Sequence, residues 1–314
     1  MFSVIIPAYN AEEFIETSVN SVLSQTYRDF ELIIVDDGSQ DGTYKKIAQY
    51  NDNRIKYVYQ ENGGVSSARN KGICTSNGEF ICFLDSDDEW KENHLETLSN
   101  LIEKYENCGM YITGYDIRLH TGTIVHKSEQ IFRCLDREDM KSDDAFSVLL
   151  KYGYFFNTNT VCCRKEVFNK AGVFELGVKN GEDDDMWFRI FSYYAIAISK
   201  NVTTVYDRSN CGATGQRGEV KECIFMSRID ALLNSEEVPQ YRKDSIHIWV
   251  ERHKLSQARK HILNGNKSEA RKLLRTIDFQ KSDKKKYFET KMCMLIPSRL
   301  IRKYIDRRDA GYYQ

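Results

Sequence analysis

The sequence predicts an α/β fold, in which a mainly parallel β-sheet is flanked by helices and followed by a helical C-terminal region. Three observations lead to this prediction. Short apolar runs alternate with amphipathic stretches over residues 1–105, as in right-handed βαβ units. Of the 314 residues, 41% are hydrophobic, which is enough for a packed core and excludes wholesale disorder. Beyond residue 218 the pattern is almost wholly helical.

The N-terminal region predicts four strand–helix pairs. In each pair a short apolar run precedes a stretch whose apolar residues recur at helical spacing, as Ile15, Val19 and Val22 do in the first pair. Parallel strands joined by helices form a sheet with helices on its faces. The predicted strands are 2–7, 31–36, 55–59 and 80–85, and the predicted helices are 12–25, 43–50, 66–74 and 92–105.

The rest of the chain changes from mixed structure to helix. Residues 110–123 predict β structure with a turn at Thr121-Gly122. We expect a first domain of residues 1–218 and a helical region of residues 219–314. The further predicted elements are strands at 155–163 and 195–206, a helix at 183–194, a loop rich in Gly, Ser and Asn at 209–218, and helices at 221–233, 241–263, 267–275 and 284–308.

The net charge of −1 conceals two oppositely charged segments. From Lys221 to Gln314 there are 22 Lys and Arg against 12 Asp and Glu, whereas residues 1–220 hold 23 against 34. Such a change of sign suggests that the two segments have different partners. The alternative is that the C-terminal helices expose a solvated lysine face, and the counts leave both interpretations open.

Several functional classes are excluded by what the sequence lacks. The nine cysteines form no CxxC pair, so no zinc site of that kind is expected. The first residues enter an apolar strand without a basic stretch, so we expect no signal peptide. No apolar run reaches the roughly 20 residues of a bilayer span, which predicts a soluble or peripheral protein. The absence of GxGxxG and GxxxxGK[ST] motifs disfavours a Rossmann-type dehydrogenase and a P-loop NTPase.

Polar residues follow three of the first four predicted strands, and two of these strand ends are acidic. Open parallel sheets bind ligands beyond the carboxyl ends of their strands. Clustered carboxylates repel one another unless a cation or a donor compensates, and an Asp-x-Asp pair can face one Mg²⁺ or Mn²⁺. The three segments are Pro7-Ala8-Tyr9-Asn10, Asp36-Asp37-Gly38-Ser39 and Asp85-Ser86-Asp87-Asp88.

Helix capping is an alternative role for these acids. Asp37 and Ser39 could cap the second predicted helix, and Asp87 or Asp88 the fourth. Capping is the simpler explanation for each acid by itself. Two acid pairs at successive sheet edges favour a cation site instead.

Five motifs follow one another along the chain. They are Val4-Ile5-Ile6-Pro7-Ala8-Tyr9-Asn10, Val35-Asp36-Asp37-Gly38-Ser39-Gln40-Asp41-Gly42-Thr43, Asn62-Gly63-Gly64-Val65-Ser66-Ser67-Ala68-Arg69-Asn70-Lys71-Gly72, Phe83-Leu84-Asp85-Ser86-Asp87-Asp88 and Gly181-Glu182-Asp183-Asp184-Asp185-Met186-Trp187-Phe188-Arg189. In this order and spacing the set resembles the bacterial family 2 glycosyltransferases of GT-A fold. The resemblance covers roughly residues 1–210 and implies an inverting enzyme that uses a nucleotide sugar and a divalent metal.

The resemblance also implies a role for each motif residue. Asp183 would be the general base, Asp87 and Asp85 would bind Mn²⁺ or Mg²⁺, and Asp37 would accept a hydrogen bond from the uracil base. Residues 1–105 would form the nucleotide-binding half and residues 106–218 the acceptor-binding half. The residues expected to contact the nucleotide sugar are Pro7, Ala8, Tyr9, Asn10, Asp37, Asn62, Arg69, Asp85 and Ser86.

Two features of the pattern leave alternatives open. Members of the family often carry a further metal- or phosphate-contacting His or Ser after the last core strand. This chain has Asp207-Arg208-Ser209-Asn210-Cys211-Gly212-Ala213-Thr214 there, without His, so a third metal contact is not assigned. The acidic neighbours of Asp183 would raise its pKa and suit it for proton abstraction. Alternatively, the acidic run is simply favoured by a helix N-terminus.

The activity that the resemblance implies is transfer of a sugar from a UDP-sugar to a hydroxyl of a saccharide, which could be lipid-linked, in capsule, O-antigen or other surface polysaccharide synthesis. In-line attack would invert the anomeric centre. One alternative is a nucleotide-sugar-binding protein without turnover. Another is a sugar-phosphate nucleotidyltransferase, which usually has a Gly-rich basic loop after its first strand; residues 8–12 contain no Gly, Lys or Arg. No nucleic acid partner is expected.

The C-terminal segment 281–308 interleaves basic and apolar residues. An apolar stripe with flanking cations is typical of a helix that lies on anionic lipid. The expected location is the cytoplasm, and a helix of this kind would add a peripheral position at the inner face of the cytoplasmic membrane. The alternative is that the stripe packs on the protein itself or on a second copy. The sequence leaves these alternatives open.

Overall fold

The structure is a computed structural model that describes residues 1–132, 138–178, 180–209 and 223–298. The described residues form two compact units. One unit contains residues 1–209 together with Cys223–Arg228, and the other contains residues 229–298. The predicted domain boundary at residue 218 lies outside the described residues.

A mixed β-sheet runs through the first unit. Its described strands are β1 (Phe2–Ala8), β2 (Phe30–Asp37), β3 (Ile55–Gln60), β4 (Phe80–Phe83), β5 (Glu89–Trp90), β6 (Met110–Leu119), β7 (Ile124–Val125), β8 (Asp139–Ser142), β9 (Val161–Arg164) and β10 (Ile196–Arg208). They are ordered β3-β2-β1-β4-β9-β6-β10-β5, with β7 beside β6 and β8 beside β10. The first four predicted strands pair in parallel as β3-β2-β1-β4, whereas β9 runs antiparallel to both of its neighbours.

The helices of the first unit lie between these strands. They are α1 (Ile15–Leu23), α2 (Thr43–Ile47), α3 (Val65–Thr75), α4 (His94–Lys104), α5 (Lys127–Phe132), α6 (Ala145–Tyr152), α7 (Val167–Ala171) and α8 (Glu182–Tyr193), with 3-10 turns at Thr158–Thr160 and Ile224–Arg228. All four predicted strand–helix pairs are confirmed within a few residues of the predicted bounds. The prediction of an α/β fold with a mainly parallel sheet is therefore confirmed for this half.

Helices cover both faces of the parallel part of the sheet. Val4 and Ile6 of β1 are buried in the same apolar cluster as Val19 of α1. Ile5, between them, points to the other face and contacts α3. A Cβ atom on Gly72 would lie 2.4 Å from Ile5 Cγ2, so glycine at this position lets α3 pack closely on the sheet.

One predicted strand is partly wrong. The sequence predicts strand over 155–163, but Thr158–Thr160 forms a 3-10 turn and only Val161–Arg164 is strand. The hydroxyl group of Thr160 accepts a hydrogen bond from the Asn157 amide and donates one to the Asn157 carbonyl oxygen. These local bonds give the backbone an alternative to the sheet, which an apolar pattern alone does not reveal.

The second unit is helical in its described part. Its helices are α9 (Ile229–Asn234), α10 (Gln240–Leu263), α11 (Lys267–Arg275) and α12 (Lys284–Cys293). The helix predicted over 221–233 begins as a 3-10 turn and continues as α9. The helix predicted over 284–308 is confirmed as far as Cys293. The prediction is wrong for residues 294–297, which form a turn that ends at Pro297, and its portion beyond Ser298 lies outside the described residues. None of the helices in the described part of the chain is both long and apolar enough to cross a bilayer.

Candidate active site

The acidic end of β2 organises the loop that precedes α3. Asp37 is buried and accepts hydrogen bonds from the amide groups of Gly63 and Gly64, both at 2.8 Å, and from Gln60 Nε2 at 2.6 Å. Asp37 therefore fixes the glycine pair at the start of α3. Its predicted contact with a uracil base stays a prediction.

The end of β1 is tied to the end of β2. Asn10 has a positive φ of 47°. Its backbone amide donates to Ser39 Oγ at 3.0 Å, and its side-chain oxygen Oδ1 accepts from the Gln40 backbone amide at 2.8 Å. Pro7 and Ala8 are buried in the strand, whereas Tyr9 is exposed. The two strand ends thus form one connected edge with an exposed aromatic ring.

The loop Asp85–Asp88 follows β4, and hydrogen bonds from the side chains of Ser18 and Asn159 hold it in position. Ser18 Oγ donates to the carbonyl oxygens of Ser86 and Asp88, both at 2.8 Å. The Asn159 side chain accepts from the Asp85 amide at 3.0 Å and donates to the buried Asp88 carboxylate. Asp88 is thereby a structural residue of this loop. Sequence reasoning did not single out Asn159, because it lies in the turn that was predicted as strand.

Asp37, Asp87 and Asp88 do not cap the helices that follow them, so the structure does not support the helix-capping alternative. The first amide of α2, that of Thr43, is capped by Asp41 Oδ1 at 3.0 Å, while Asp37 bonds to the loop before α3. Helix α4 begins after Asn93 without a side-chain cap, so Asp87 does not cap it either.

Asp85 and Asp87 are the carboxylates that face the edge of the sheet. Asp87 reaches solvent, yet the protein around its carboxyl group and the charges of Asp85 and Asp207 raise its pKa to about 6. Uncompensated negative charge of this kind favours a bound cation. Among the described residues no group of three or more His, Cys, Asp or Glu side chains is arranged to hold a metal ion. Asp85 and Asp87 supply carboxylate oxygens, the type of ligand that Mg²⁺ and Mn²⁺ prefer.

The segment where a third metal contact was left unassigned is only partly described. The Asp207 carboxylate is bonded to Arg118 Nη1 at 2.8 Å and to the Ser209 amide at 2.7 Å. The Asp207 amide in turn donates to Asp88 at 2.6 Å. Residues 210–214 lie outside the described residues.

Arg69 connects this loop to the start of α8. Its guanidinium group is buried and donates to Asp85 Oδ1 at 2.8 Å and to Glu182 Oε1 at 3.0 Å. The group also lies 5.4 Å from the centroid of the Phe174 ring. Arg69 was expected to approach the nucleotide, and that contact stays a prediction. The structure shows a residue that joins two acidic motifs.

The four acids at the start of α8 have different surroundings. Glu182 pairs with Arg69. Asp185 is fully buried and pairs with Arg189 Nε at 2.9 Å and Arg228 Nε at 2.8 Å. Glu182 and Asp185 are thus held by arginines, whereas the two acids between them, Asp183 and Asp184, are only partly buried.

Asp183 is held in position by two donors. Its carboxylate accepts from Thr158 Oγ1 at 3.3 Å and from the Asp184 amide at 2.8 Å. Gly181, just before the helix, has a φ of 82°, a backbone conformation that glycine adopts without a steric penalty. This turn directs the first residues of α8.

An aromatic cluster locks α8 onto β4. The Trp187 ring lies 5.6 Å from Phe83 and 5.5 Å from Phe174, and Phe83 lies 5.4 Å from Phe174. Because β4 leads into the Asp85–Asp88 loop and α8 begins at Glu182, this packing fixes the distance between the two acidic motifs.

Asp184 is the acid with the more perturbed proton affinity. Burial and the charges of Asp183 and Glu182 raise the pKa of Asp184 to about 7. The Tyr154 side chain is 47% exposed, and its ring lies 6.2 Å from the ring of Phe188 of α8. The protein that surrounds its hydroxyl group and the charges of Asp184 and Asp183 raise the pKa of Tyr154. Sequence reasoning placed Asp184 only as a neighbour of the base and did not single out Tyr154.

Replacement of Asp184 by Asn should change how stability depends on pH. In the folded chain Asp184 holds its proton up to about pH 7, whereas an unfolded Asp releases it near pH 4. Between these values the native state binds more protons, so the free energy of unfolding falls as pH rises, by at most about 1.4 kcal/mol per pH unit. Thermal melts should show Asp184→Asn more stable than wild type at pH 8 and equal to it near pH 4.

The control for this measurement is Glu61→Gln, which neutralises an exposed carboxylate. It should follow the wild-type curve at every pH. Identical pH profiles for Asp184→Asn and wild type would show that Asp184 is not protonated in the native state near neutral pH.

Loss of the Arg69 side chain should be strongly destabilising. Arg69→Met leaves Asp85 and Glu182 without their common cation, and breaking a buried pair in this way costs about 3–5 kcal/mol. We expect a melting temperature lower by about 10 °C. Arg54→Met, which removes a partly exposed pair with Asp52, should cost at most about 1 kcal/mol. Equal melting temperatures for the two variants would contradict the linking role of Arg69.

A family profile covers the strand ends at residues 7–10, 36–39 and 85–88, but it does not reach α8. Residues 3–170 match the profile of Glycosyl transferase family 2. The chain belongs to this family. The prediction from the five motifs is confirmed, since four of them lie inside the match.

Family members with similar sequences come from several bacteria. TuaG of Bacillus subtilis, whose name places it provisionally in teichuronic acid biosynthesis, is 44% identical over 131 residues, which are 40% of this chain and 51% of TuaG. WfgD of Escherichia coli, a UDP-Glc:alpha-D-GlcNAc-diphosphoundecaprenol beta-1,3-glucosyltransferase, is 41% identical over 128 residues, 40% of this chain and 50% of WfgD. The chain thus spans about half the length of these two relatives.

Two solved structures share the fold of this chain. Staphylococcus aureus TarS in complex with UDP-GlcNAc superimposes with a TM-score of 0.67 at 20% identity, covering 89% of this chain and 82% of that one. The mannosyltransferase PcManGT of Pyrobaculum calidifontis, in complex with GDP-Man and Mn²⁺, gives 0.58 at 18% identity, covering 87% and 74%. At these identities the likeness concerns the fold, and the predicted GT-A fold is confirmed.

Proposed function

We propose that the chain is an inverting glycosyltransferase that moves a sugar from a UDP-sugar to a hydroxyl group of a saccharide acceptor. The observation that carries the proposal is the Arg69 link, which places the carboxylates Asp85 and Asp87 and the acids at the start of α8 around one edge of the sheet. Attack at an anomeric carbon needs both a stabilised leaving group and a base, and this edge offers groups for each.

The donor would bind along the ends of β1 and β2. The exposed Tyr9 and Asn62, the buried Asp37 and the tied strand ends form the surface proposed for the uridine. The crystallised complex of TarS with UDP-GlcNAc and the UDP-Glc in the name of WfgD support a UDP-sugar as the donor class. PcManGT, which was crystallised with GDP-Man, shows that the fold also accepts another nucleotide.

A divalent cation would be held by Asp87 and Asp85, and it would neutralise the departing diphosphate. The raised pKa of Asp87 supports this assignment, as does the Mn²⁺ bound to PcManGT. Arg69 engages Oδ1 of Asp85, so Oδ2 is the oxygen that would contact the cation.

Asp183 would take the proton from the acceptor hydroxyl. Thr158 and the Asp184 amide hold its carboxylate in place. With the base and the leaving group on opposite sides of the anomeric carbon, an α-linked donor would give a β-glycoside.

The acceptor would lie against α8. Tyr154 offers an exposed ring near Asp183, and aromatic rings are common platforms for the apolar face of a sugar ring. The diphosphoundecaprenol in the name of WfgD supports a lipid-linked saccharide as the acceptor class and surface polysaccharide synthesis as the setting.

The proposal is tested by incubating the chain with a panel of UDP-sugars and Mn²⁺ and measuring UDP release. In parallel, melting temperatures are measured with UDP and with UTP, since a ligand that binds the native state raises stability. We expect UDP release with at least one donor. Stabilisation by UDP without any release would favour a binding protein, and release of pyrophosphate from UTP and a sugar phosphate would favour a nucleotidyltransferase.

A further inference from the structure

Helix α12 is fixed to the second unit by one of its faces. Thr290 is fully buried and accepts a hydrogen bond from Arg259 Nε at 2.8 Å. Tyr287 and Met294 pack against an apolar cluster that includes Leu255 and Leu274. The orientation of α12 about its own axis is therefore set by packing, and its opposite face is directed outward.

The outward face carries large apolar side chains. Phe288, Met292, Leu295 and Ile296 are 57%, 60%, 77% and 42% exposed. Phe288 and Met292 are four positions apart and lie on one side of α12, and Leu295 and Ile296 belong to the turn that follows the helix. In the described part of the chain 13 large hydrophobic residues are exposed, and these four fall within nine consecutive positions. The result is a concentrated apolar stripe.

Cations flank this stripe. Lys284, Lys285 and Lys291 are exposed, and among the described residues none of the three has an ion-pair partner within 4 Å. Residues 229–298 as a whole contain 15 Lys and Arg against 9 Asp and Glu. We call Phe288, Met292, Leu295 and Ile296 together with Lys284, Lys285 and Lys291 the lysine-flanked face.

The geometry points to an anionic lipid bilayer as the partner of the lysine-flanked face. An interfacial helix buries its apolar side chains about 5–10 Å into the boundary between headgroups and acyl chains while its cations contact anionic headgroups. A second copy of the chain fits less well, because joining two such faces would bring lysines of like charge together. This inference concerns the second unit and does not rest on the proposed glycosyl transfer.

The test uses the full chain in co-sedimentation with vesicles of phosphatidylcholine alone or mixed with phosphatidylglycerol. We expect binding to the mixed vesicles at about 0.1 M salt and little at about 1 M, because the Debye length shrinks from about 10 Å to about 3 Å. Replacing Lys284, Lys285 and Lys291 by Gln should weaken the partition coefficient on the order of 100-fold, at about fivefold per cation. The triple variant Phe288→Ser, Met292→Ser, Leu295→Ser should also lose binding.

A matched control removes three exposed cations elsewhere on the second unit: Lys260→Gln, Arg271→Gln and Arg275→Gln. This variant should bind with at most a small loss. The proposal is overturned if wild type binds neither vesicle, if the control loses as much binding as the lysine variant, or if the serine variant changes a wild-type dimer into a monomer by sedimentation. All variants are exposed substitutions, and a circular dichroism melt verifies that each is folded.

Discussion

The Asp183→Asn variant is expected to bind UDP-sugar as wild type does and to lose about 10²–10⁴-fold of its transfer rate, the usual contribution of a general base. Asn is nearly isosteric with Asp: its one carbonyl oxygen can accept the hydrogen bond from the Asp184 amide, and its NH2 group can donate to the Thr158 hydroxyl oxygen. It cannot take up the proton of the acceptor hydroxyl. Calorimetric donor binding and the rate of UDP release in the presence of acceptor separate the two effects.

The neighbouring variant Asp184→Asn is the matched control, since it removes one carboxylate from the same turn of α8. If Asp183 is the base, Asp184→Asn should retain much more activity than Asp183→Asn. A fall in donor affinity of Asp183→Asn that equals its fall in rate would make Asp183 a donor-binding or structural residue instead.

The Asp87→Ala variant is expected to keep its fold and to lose activity on the order of 100-fold or more, because the charge stabilisation by a bound metal ion amounts to several kcal/mol. Asp87 is exposed at the edge of the sheet, so its removal leaves no buried cavity. The measurements are UDP release as a function of Mn²⁺ or Mg²⁺ concentration, and a thermal melt to verify the fold.

Asp29→Ala, which removes another exposed carboxylate, controls for loss of surface charge and should leave the metal dependence unchanged. Chelation of the metal with EDTA should bring wild type to the level of Asp87→Ala. Full activity of Asp87→Ala in EDTA would rule out a metal site at this position.

The parallel half of the fold is readable from the sequence because three of its four strands, β1, β2 and β4, are buried on both faces. Val4, Ile5 and Ile6 are all fully buried. Strand β1 therefore appears in the sequence as an unbroken apolar run, which is typical of a parallel strand covered by helices on both faces. The short antiparallel strands are different. β5 has two residues and β8 has four, and segments of this length are positioned by the sheet that they join, so their own sequences carry little signal.

The candidate site was predicted as a set of motifs, and its connections were not. The acids at the strand ends stand out because clustered carboxylates are unusual, and the family profile covers them. Arg69, by contrast, pairs with Glu182 across 113 positions of the chain, and Asn159 reaches Asp88 across 71. Such contacts depend on how β4, β9 and α8 pack, which local patterns do not specify.

The central claim, inverting transfer at this acidic edge, is tested most directly by the anomer that the chain releases when water replaces the acceptor. Proton NMR follows hydrolysis of an α-linked UDP-sugar in Mn²⁺, with enough protein that hydrolysis is faster than mutarotation. The account predicts that the β anomer of the free sugar appears first, and that Asp183→Asn and Asp87→Ala greatly slow its appearance. First release of the α anomer would contradict the account.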